Sequence, residues 1–318
     1  MRKTLLALVM LGICGVTGAP AQTFPNRELR VVVPFPPGSG PDVIARFITG
    51  KLQTSLKASV IVENRPGALG NIGNEFVARA KPDGHTILFN GLSTVAGGMA
   101  MVKNPPIDAG NALQVVGTFA RQPHLLVVGP NSPHRSVASL SEALKKKGKS
   151  ASYGAAYPQA RVLGALLSDS VGTEAVEVLY KTSRDWINDL ADGRLDFAVI
   201  ETGTGDALER QNQIRVLAIS TAQRAAALPQ YPTLKESGHD IEIAGVWGMF
   251  VPAGTPRPII DQLNRETSEA AKSDEGRAFF TKLSNDVVTL SPEEGQAVFL
   301  NDLKEWVKFV RVAKIEQQ

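Results

Sequence analysis

The sequence predicts an α/β fold in which parallel sheets are flanked by helices. Three observations carry that expectation. Short β-branched runs alternate with amphipathic stretches of helical spacing through most of the chain, the pattern left by strand–helix–strand crossovers. Proline- and glycine-rich joints stand where strands end and helices begin, as in PFPPGSGPD. With 318 residues, 43% apolar and 20% charged, the chain can bury a sizeable core and has the length of about two domains.

The elements follow in chain order. Arg2 and Lys3 precede the apolar run LLALVMLGICGV, and Ala19-Pro20-Ala21 supplies small residues after it. This is the layout of a secretory signal peptide over 1–21, cleaved before Gln22. The run is too short to span a bilayer and is broken by glycine, and Ile13 is too bulky to precede a lipid-modified Cys14. Cleavage removes two cations and the lone cysteine, so the formal charge falls from +3 to +1 and no thiol remains. Disulfides and thiolate catalysis are then excluded. A near-neutral chain whose densest basic run is Lys145-Lys146-Lys147 is also a poor partner for nucleic acid.

Strands are expected at 29–34, 60–63, 86–89, 114–118, 125–128, 151–154, 175–179, 197–200 and 216–220. Helices are expected between them at 42–56, 72–80, 137–147, 161–171 and 183–192. The last third changes character after the proline-rich joint VPAGTP, with helices at 258–271, 274–283 and 292–312. The final one places apolar residues at 299, 303, 306, 307 and 310, the spacing of a helix packed on a core.

The joints carry the chemistry. In PPGSGPD, Ser39-x-x-Asp42 has the spacing of a capping box and Pro41 suits a first helical turn. Gly38 and Gly40 leave the backbone N–H groups open to a ligand, and a helix start favours an anion there; a tight turn with no ligand is the plainer alternative. The loop lacks the Lys-Ser/Thr of a phosphate loop, and Gly67-x-x-Gly70-x-x-Gly73 is more often helix packing than binding. Similar joints recur at Asn90-Gly91-Leu92-Ser93-Thr94, at Ala155-Ala156-Tyr157 with Arg161 beyond, and at Thr182-Ser183-Arg184-Asp185-Trp186. In open α/β sheets, ligands sit outside the carboxyl ends of the strands, where such loops gather. Catalysis is not expected. His85, His124, His134 and His239 form no metal motif and read as solvent-facing or hinge-adjacent loop residues, and Ser39 is not in a nucleophile elbow. No cofactor or metal is implied.

The blocks VVVPFPPGSGPDVIAR, VIVENRPGALGNIG, ARAKPDGHTILF, LYKTSRDWINDLADGRLDFAV, RVLAISTAQRAAALPQYPTLKESG and GMFVPAGTP stand in the order found in one family. In them the chain resembles the extracytoplasmic receptors of tripartite tricarboxylate transporters, the Bug family, along nearly the whole mature sequence. The resemblance implies a two-lobed fold like type II periplasmic binding proteins, with a hinge between the lobes. One lobe would comprise 22–122 and 245–318 and the other 123–244, with crossings near 120–124 and 243–246. It also implies a periplasmic monomer that captures a small carboxylate for membrane permease subunits. A receptor for a sensor kinase, or a binder of an amino acid or amide, remains open.

The expected site gathers Phe35, Pro37, Gly38, Ser39, Gly40 and Asp42 with Asn90, Ser93 and Thr94 from one lobe. From the other come Ala155, Ala156, Tyr157, Arg161, Thr182, Ser183, Arg184, Asp185, Trp186 and Glu201. Here the chain departs from the family, which commonly has a Ser/Gly/Thr-rich loop at Tyr157–Arg161, small residues and a proline after Lys181, and Asp-Asn where Glu201-Thr202 stand. Arg161 or Arg184 could add a forked bond to a carboxylate, or instead be a surface residue or pair with Asp185 or Glu201. Tyr157 and Trp186 could sandwich a planar ring or merely narrow the cleft. Asp185 or Glu201 could meet a cationic group. The expected solute is therefore a carboxylate with an aromatic or otherwise bulky body, or a dicarboxylate.

Overall fold

A computed structural model describes residues 24–317; the leader expected over 1–21 and its cleavage point lie outside the described residues. Ten strands are described: β1 (Leu29–Val33), β2 (Val60–Asn64), β3 (Thr86–Gly91), β4 (Leu113–Gln122), β5 (His124–Val128), β6 (Ser152–Ala155), β7 (Val176–Leu179), β8 (Phe197–Glu201), β9 (Arg215–Ile219) and β10 (Gly245–Pro252). The α-helices are α1 (Gly40–Leu56), α2 (Asn71–Ala78), α3 (Leu92–Ala100), α4 (Ala109–Ala112), α5 (Val137–Lys147), α6 (Pro158–Val171), α7 (Ile187–Ala191), α8 (Thr202–Arg210), α9 (Arg257–Lys272), α10 (Asp274–Lys282) and α11 (Pro292–Val312).

The strands form two sheets, each the centre of a lobe. The first has the order β2-β1-β3-β10-β4 and the second β7-β6-β8-β5-β9. Neither is purely parallel. β1, β2 and β3 run parallel, but β10 is antiparallel to both β3 and β4. In the second sheet β6, β7 and β8 run parallel while β5 opposes β8 and β9. The antiparallel strands are those beside the crossings: Pro123 alone separates β4 from β5, and the chain returns between β9 and β10. A strand entering a sheet from the other lobe arrives against the direction set by the strand–helix–strand units. Sequence spacing gave no strand at Gly245–Pro252, although it lies inside the first sheet.

Alternation along β1 shows how the sheets are covered. Val31 and Val33 pack with Ile44, Ile48 and Phe89 on one face, and Val32 packs with Leu88, Phe250 and Phe299 on the other. Both faces are buried from Val31 to Val33, which is why that stretch reads as an unbroken apolar run, while Arg30 is exposed. The second sheet is covered by Trp186, Leu190 and Leu208 on one side and by α5 and α6 on the other. That last cluster also takes in Ala96 and Ala100 of α3 and Trp306 and Val310 of α11, so an apolar seam joins helices of both sheets.

Several local expectations are corrected. Ser39 caps α1 by position, but its side chain makes no capping bond; its Oγ donates to the Pro36 carbonyl at 2.7 Å. A full capping box forms instead between Ser291 and Glu294 at the start of α11. The helix expected over 183–192 is regular only in α7, because the Asp185 carboxylate accepts the Thr182 N–H at 2.9 Å and holds a turn there. Residues Gly67 to Gly70 are all left-handed, and Gly73 lies so close to Pro34 that a Cβ would stand 2.9 Å from its ring. The glycine triplet thus serves a turn and close packing.

Candidate functional site

The joints at the carboxyl ends of the parallel strands meet across the two lobes. Gln159 Nε2 at the start of α6 donates to Thr94 Oγ1 in the first turn of α3 at 2.9 Å. Gln122 Nε2 donates to Thr202 Oγ1 at 3.3 Å, and Trp247 Nε1 donates to Gln122 Oε1 at 3.0 Å. These bonds link β3–α3, β6–α6, β8–α8 and both crossings where the two lobes face each other.

In the first lobe the β1–α1 loop is organised by Asp42. Its carboxylate is 1% exposed. It accepts from the Gly38 N–H at 2.8 Å, from Asn64 Nδ2 at 2.8 Å and from Arg46 Nε at 2.9 Å. Burial pushes its pKa upward, but these donors outweigh it and hold the carboxyl below the usual range. The Gly38 amide is therefore engaged by Asp42, while Pro37, Ser39 and Gly40 lie at the loop surface. Phe35 is half-buried, its ring edge-on to Trp247 at 5.8 Å, and its carbonyl accepts from Asn64 at 3.0 Å.

Asn90 is fully buried. Its amide donates to Asn74 Oδ1 at 2.9 Å and its oxygen accepts from Gly91 N–H at 2.8 Å, so it ties β3 to α2. Ser93 Oγ donates to Asp302 Oδ2 at 2.7 Å. Burial pushes the Asp302 carboxyl up to about 6, against the lowering effect of that bond.

In the second lobe the structure separates the expected residues into two groups. Ala155, Ala156 and Tyr157 line the β6–α6 joint, and the half-buried Tyr157 places its hydroxyl 3.1 Å from His124 Nδ1. Glu201, partly exposed, accepts from Ser183 Oγ at 2.8 Å and from Thr204 Oγ1 at 2.7 Å. Thr182, Arg184 and Asp185 are exposed on the β7–α7 loop. Arg161 and Trp186 stand apart. The Arg161 fork meets Glu177 through Nε and Nη2 at 2.9 and 3.0 Å, beside a groove of 860 Å³ lined by α6, β7 and residues 312–317. A buried guanidinium needs that carboxylate, so the pair forms before any solute is present. Trp186 is 0% exposed in the second sheet's core, its ring against Gly154. It offers no ring face to a solute in this conformation.

Sequence reading missed Gln122, His124, Gln159, Thr202 and Trp247. His124 and His85 are 4% and 5% exposed, so neither faces solvent; His124 instead stands beside the first crossing, at the start of β5. The available signal was position: His124 directly follows the proline between two strands. Among the described residues no group of His, Cys, Asp and Glu is placed to hold a metal ion, and no helix is long and apolar enough to cross a membrane.

A sequence model of the tripartite tricarboxylate transporter family receptor matches residues 44–314. A UPF0065 protein of Bordetella bronchiseptica is 30% identical over 315 residues, covering 99% of this chain and 94% of the relative. Among solved structures, an R. palustris protein with adipate superposes with a TM-score of 0.84 at 28% identity, covering 92% of this chain and 99% of the other. The periplasmic binding protein BugD gives 0.80 at 27% identity over 93% and 100%.

Proposed function

The chain belongs to the tripartite tricarboxylate transporter receptor family, and on that premise we propose that it captures a small carboxylate between its lobes and presents it to membrane permease subunits. It is a periplasmic-type solute-binding receptor rather than an enzyme, as its family and fold neighbours are. The leader-like first residues fit delivery of the mature protein to the periplasm. The lobes would be 22–122 with 245–318, and 123–244.

The observation that carries the reading is the convergence of strand-to-helix joints from both sheets, bonded across the cleft through Gln159–Thr94 and Gln122–Thr202. Helix starts present unsatisfied N–H groups and the positive end of the dipole. A carboxylate leaving water must recover its hydrogen bonds, which such joints can supply. Gly40, Ser39 and Thr94 on one side, with Ala156, Tyr157 and Ser183 on the other, are the residues assigned to contact. With Trp186 in the core, Phe35, Tyr157 and Trp247 are the rings left to cover a solute's apolar body. The adipate-bound R. palustris relative makes a linear dicarboxylate one member of the class. A second reading, an amide or amino-bearing solute, is favoured by one feature: the partly exposed Glu201 carboxylate, held only by two hydroxyls.

The test is a thermal-shift screen of the mature protein from Gln22, against aliphatic and aromatic mono-, di- and tricarboxylates, amino acids and amides. A solute that binds only the folded state and is present well above its dissociation constant must raise the melting temperature. Shifts confined to carboxylates support the proposal. Shifts confined to amides or amines replace it with the second reading, and a response to neither removes the carboxylate assignment.

A further inference from the structure

His124 stands where the chain first leaves one sheet for the other. Its backbone N–H donates to Ser220 Oγ at 2.9 Å, and its carbonyl accepts from the Ser220 N–H at 3.0 Å. Across the β5–β8 pair it faces Glu201. The side chain is 4% exposed. Its Nδ1 meets the Tyr157 hydroxyl at 3.1 Å, with the two rings 5.4 Å apart.

The direction of the Tyr157–His124 bond sets the tautomer. Tyr157 has one hydroxyl hydrogen, and burial, followed by the charge of Glu201, keeps the phenol protonated. Among the described residues His124 Nδ1 is the one hydrogen-bonding contact of the Tyr157 hydroxyl, so donation to Nδ1 is the arrangement that gives that hydrogen an acceptor. The imidazole is neutral, because burial pushes its pKa down to about 3, so its own hydrogen is on Nε2. That N–H is buried and has no hydrogen-bonding partner among the described residues. Such a group carries its full desolvation penalty until an acceptor reaches it.

The space beside Nε2 belongs to the second crossing. Gly245 opens β10, and a Cβ built there would lie 3.8 Å from His124 Nε2 and 3.6 Å from the Gln122 carbonyl oxygen. These are ordinary contacts, so a methyl-sized space borders Nε2, itself closed to solvent in this conformation, between the strands that flank the two crossings. We infer that His124 is a solute-contacting residue at the cleft floor: its neutral Nε2–H donates to an oxygen of the bound acid, and Tyr157 fixes the tautomer that makes this possible. The inference rests on reading the interlobe cleft as the carboxylate site. It adds a residue type at the floor that discriminates by geometry: an oxygen acceptor satisfies the N–H, whereas an apolar or donor group leaves it unpaired.

The experiment has two parts. Imidazole nitrogen NMR of the labelled mature protein without solute is expected to show His124 protonated on Nε2; protonation on Nδ1 overturns the inference. Calorimetric titration with adipate and with benzoate then compares wild type with three variants. His124→Phe is expected to weaken whichever acid binds by at least about tenfold. Gly245→Ala, which covers Nε2 without a close clash, should weaken it several-fold, and Tyr157→Phe should do so less. Unchanged affinity in both His124→Phe and Gly245→Ala, with melting temperatures intact, overturns the role of His124 and leaves the carboxylate cleft standing. If wild type binds neither acid, the titration is repeated with the acid of the thermal-shift panel that gives the largest shift; if no acid of that panel binds, the carboxylate reading itself fails and this inference falls with it.

Discussion

The two lobes hold their binding loops by different means. In the first, the β1–α1 loop is wrapped around the buried Asp42 carboxylate, which collects a backbone amide, a side-chain amide and a guanidinium. In the second, the β7–α7 loop is pinned by an indole: Trp186 is wholly buried among Leu125, Val127 and Leu190. The carboxylate that this loop reaches through Ser183, Glu201, has only two hydroxyl donors and stays partly exposed. A carboxylate can serve as a scaffold only when its desolvation is offset by several donors. With fewer donors it stays at the surface, where it can meet a solute, and the anchoring falls to apolar packing.

This contrast orders the expected effects of substitution. Trp186→Ala should cost the most, about 4 kcal/mol, because a large cavity opens in the second core. Denaturant unfolding checks it, and a loss near zero would mean the ring is not an anchor. Asp42→Ala should cost about 3 kcal/mol, since it strands the Gly38 and Asn64 donors and frees Arg46. If this loss fell below that of Glu201→Gln, the distinction between scaffold and surface carboxylate would be broken.

The third prediction concerns the hinge that joins the two regions. Burial pushes the His124 pKa from the ordinary 6.5 down to about 3, so the fold favours the neutral ring. Its contribution is fully present above the ordinary value and is lost as pH falls toward the native one. Between pH 7 and about pH 4.5 that loss is roughly 2 kcal/mol. His124→Phe should remove this part of the acid sensitivity in urea unfolding at the two pH values; parallel losses in both proteins would contradict a buried neutral ring. The smallest effect belongs to Glu201→Gln, about 1 kcal/mol or less. Its partners are neutral hydroxyls that can turn to the carboxamide oxygen or to water. Its sharper readout is the thermal-shift panel, where loss of the charge should favour acids over amines.

Much of the architecture was legible along the chain. Val31, Val32 and Val33 announce a strand buried on both faces, and the alternation of such runs with helical spacing announces the α/β class. The C-terminal helix begins at Pro292 and ends at Val312 as its apolar spacing implied. The central antiparallel strand was not legible. Gly245, Gly248 and Pro252 weaken any local strand signal, and β10 exists because β3 and β4 pair with it on either side. The site divided in the same way. The joints were identifiable by their glycine and proline content, but the partners of individual side chains were not. Spacing leaves Arg161 open as a carboxylate clamp, a surface residue or a partner of Asp185 or Glu201, whereas the fold pairs it with Glu177.

The sequence by itself determined the alternating α/β elements, the joints that carry polar groups and, through ordered blocks of residues, the family. These depend on local chemistry and on periodicity, which are written in consecutive residues. Only the tertiary structure decided that Trp186 is core, that Asp42 consumes the Gly38 amide and that an unpaired His124 Nε2 lies beside Gly245. Those outcomes depend on which atoms far apart in the chain compete for the same hydrogen bond or the same volume, and spacing along a sequence does not encode the result of that competition.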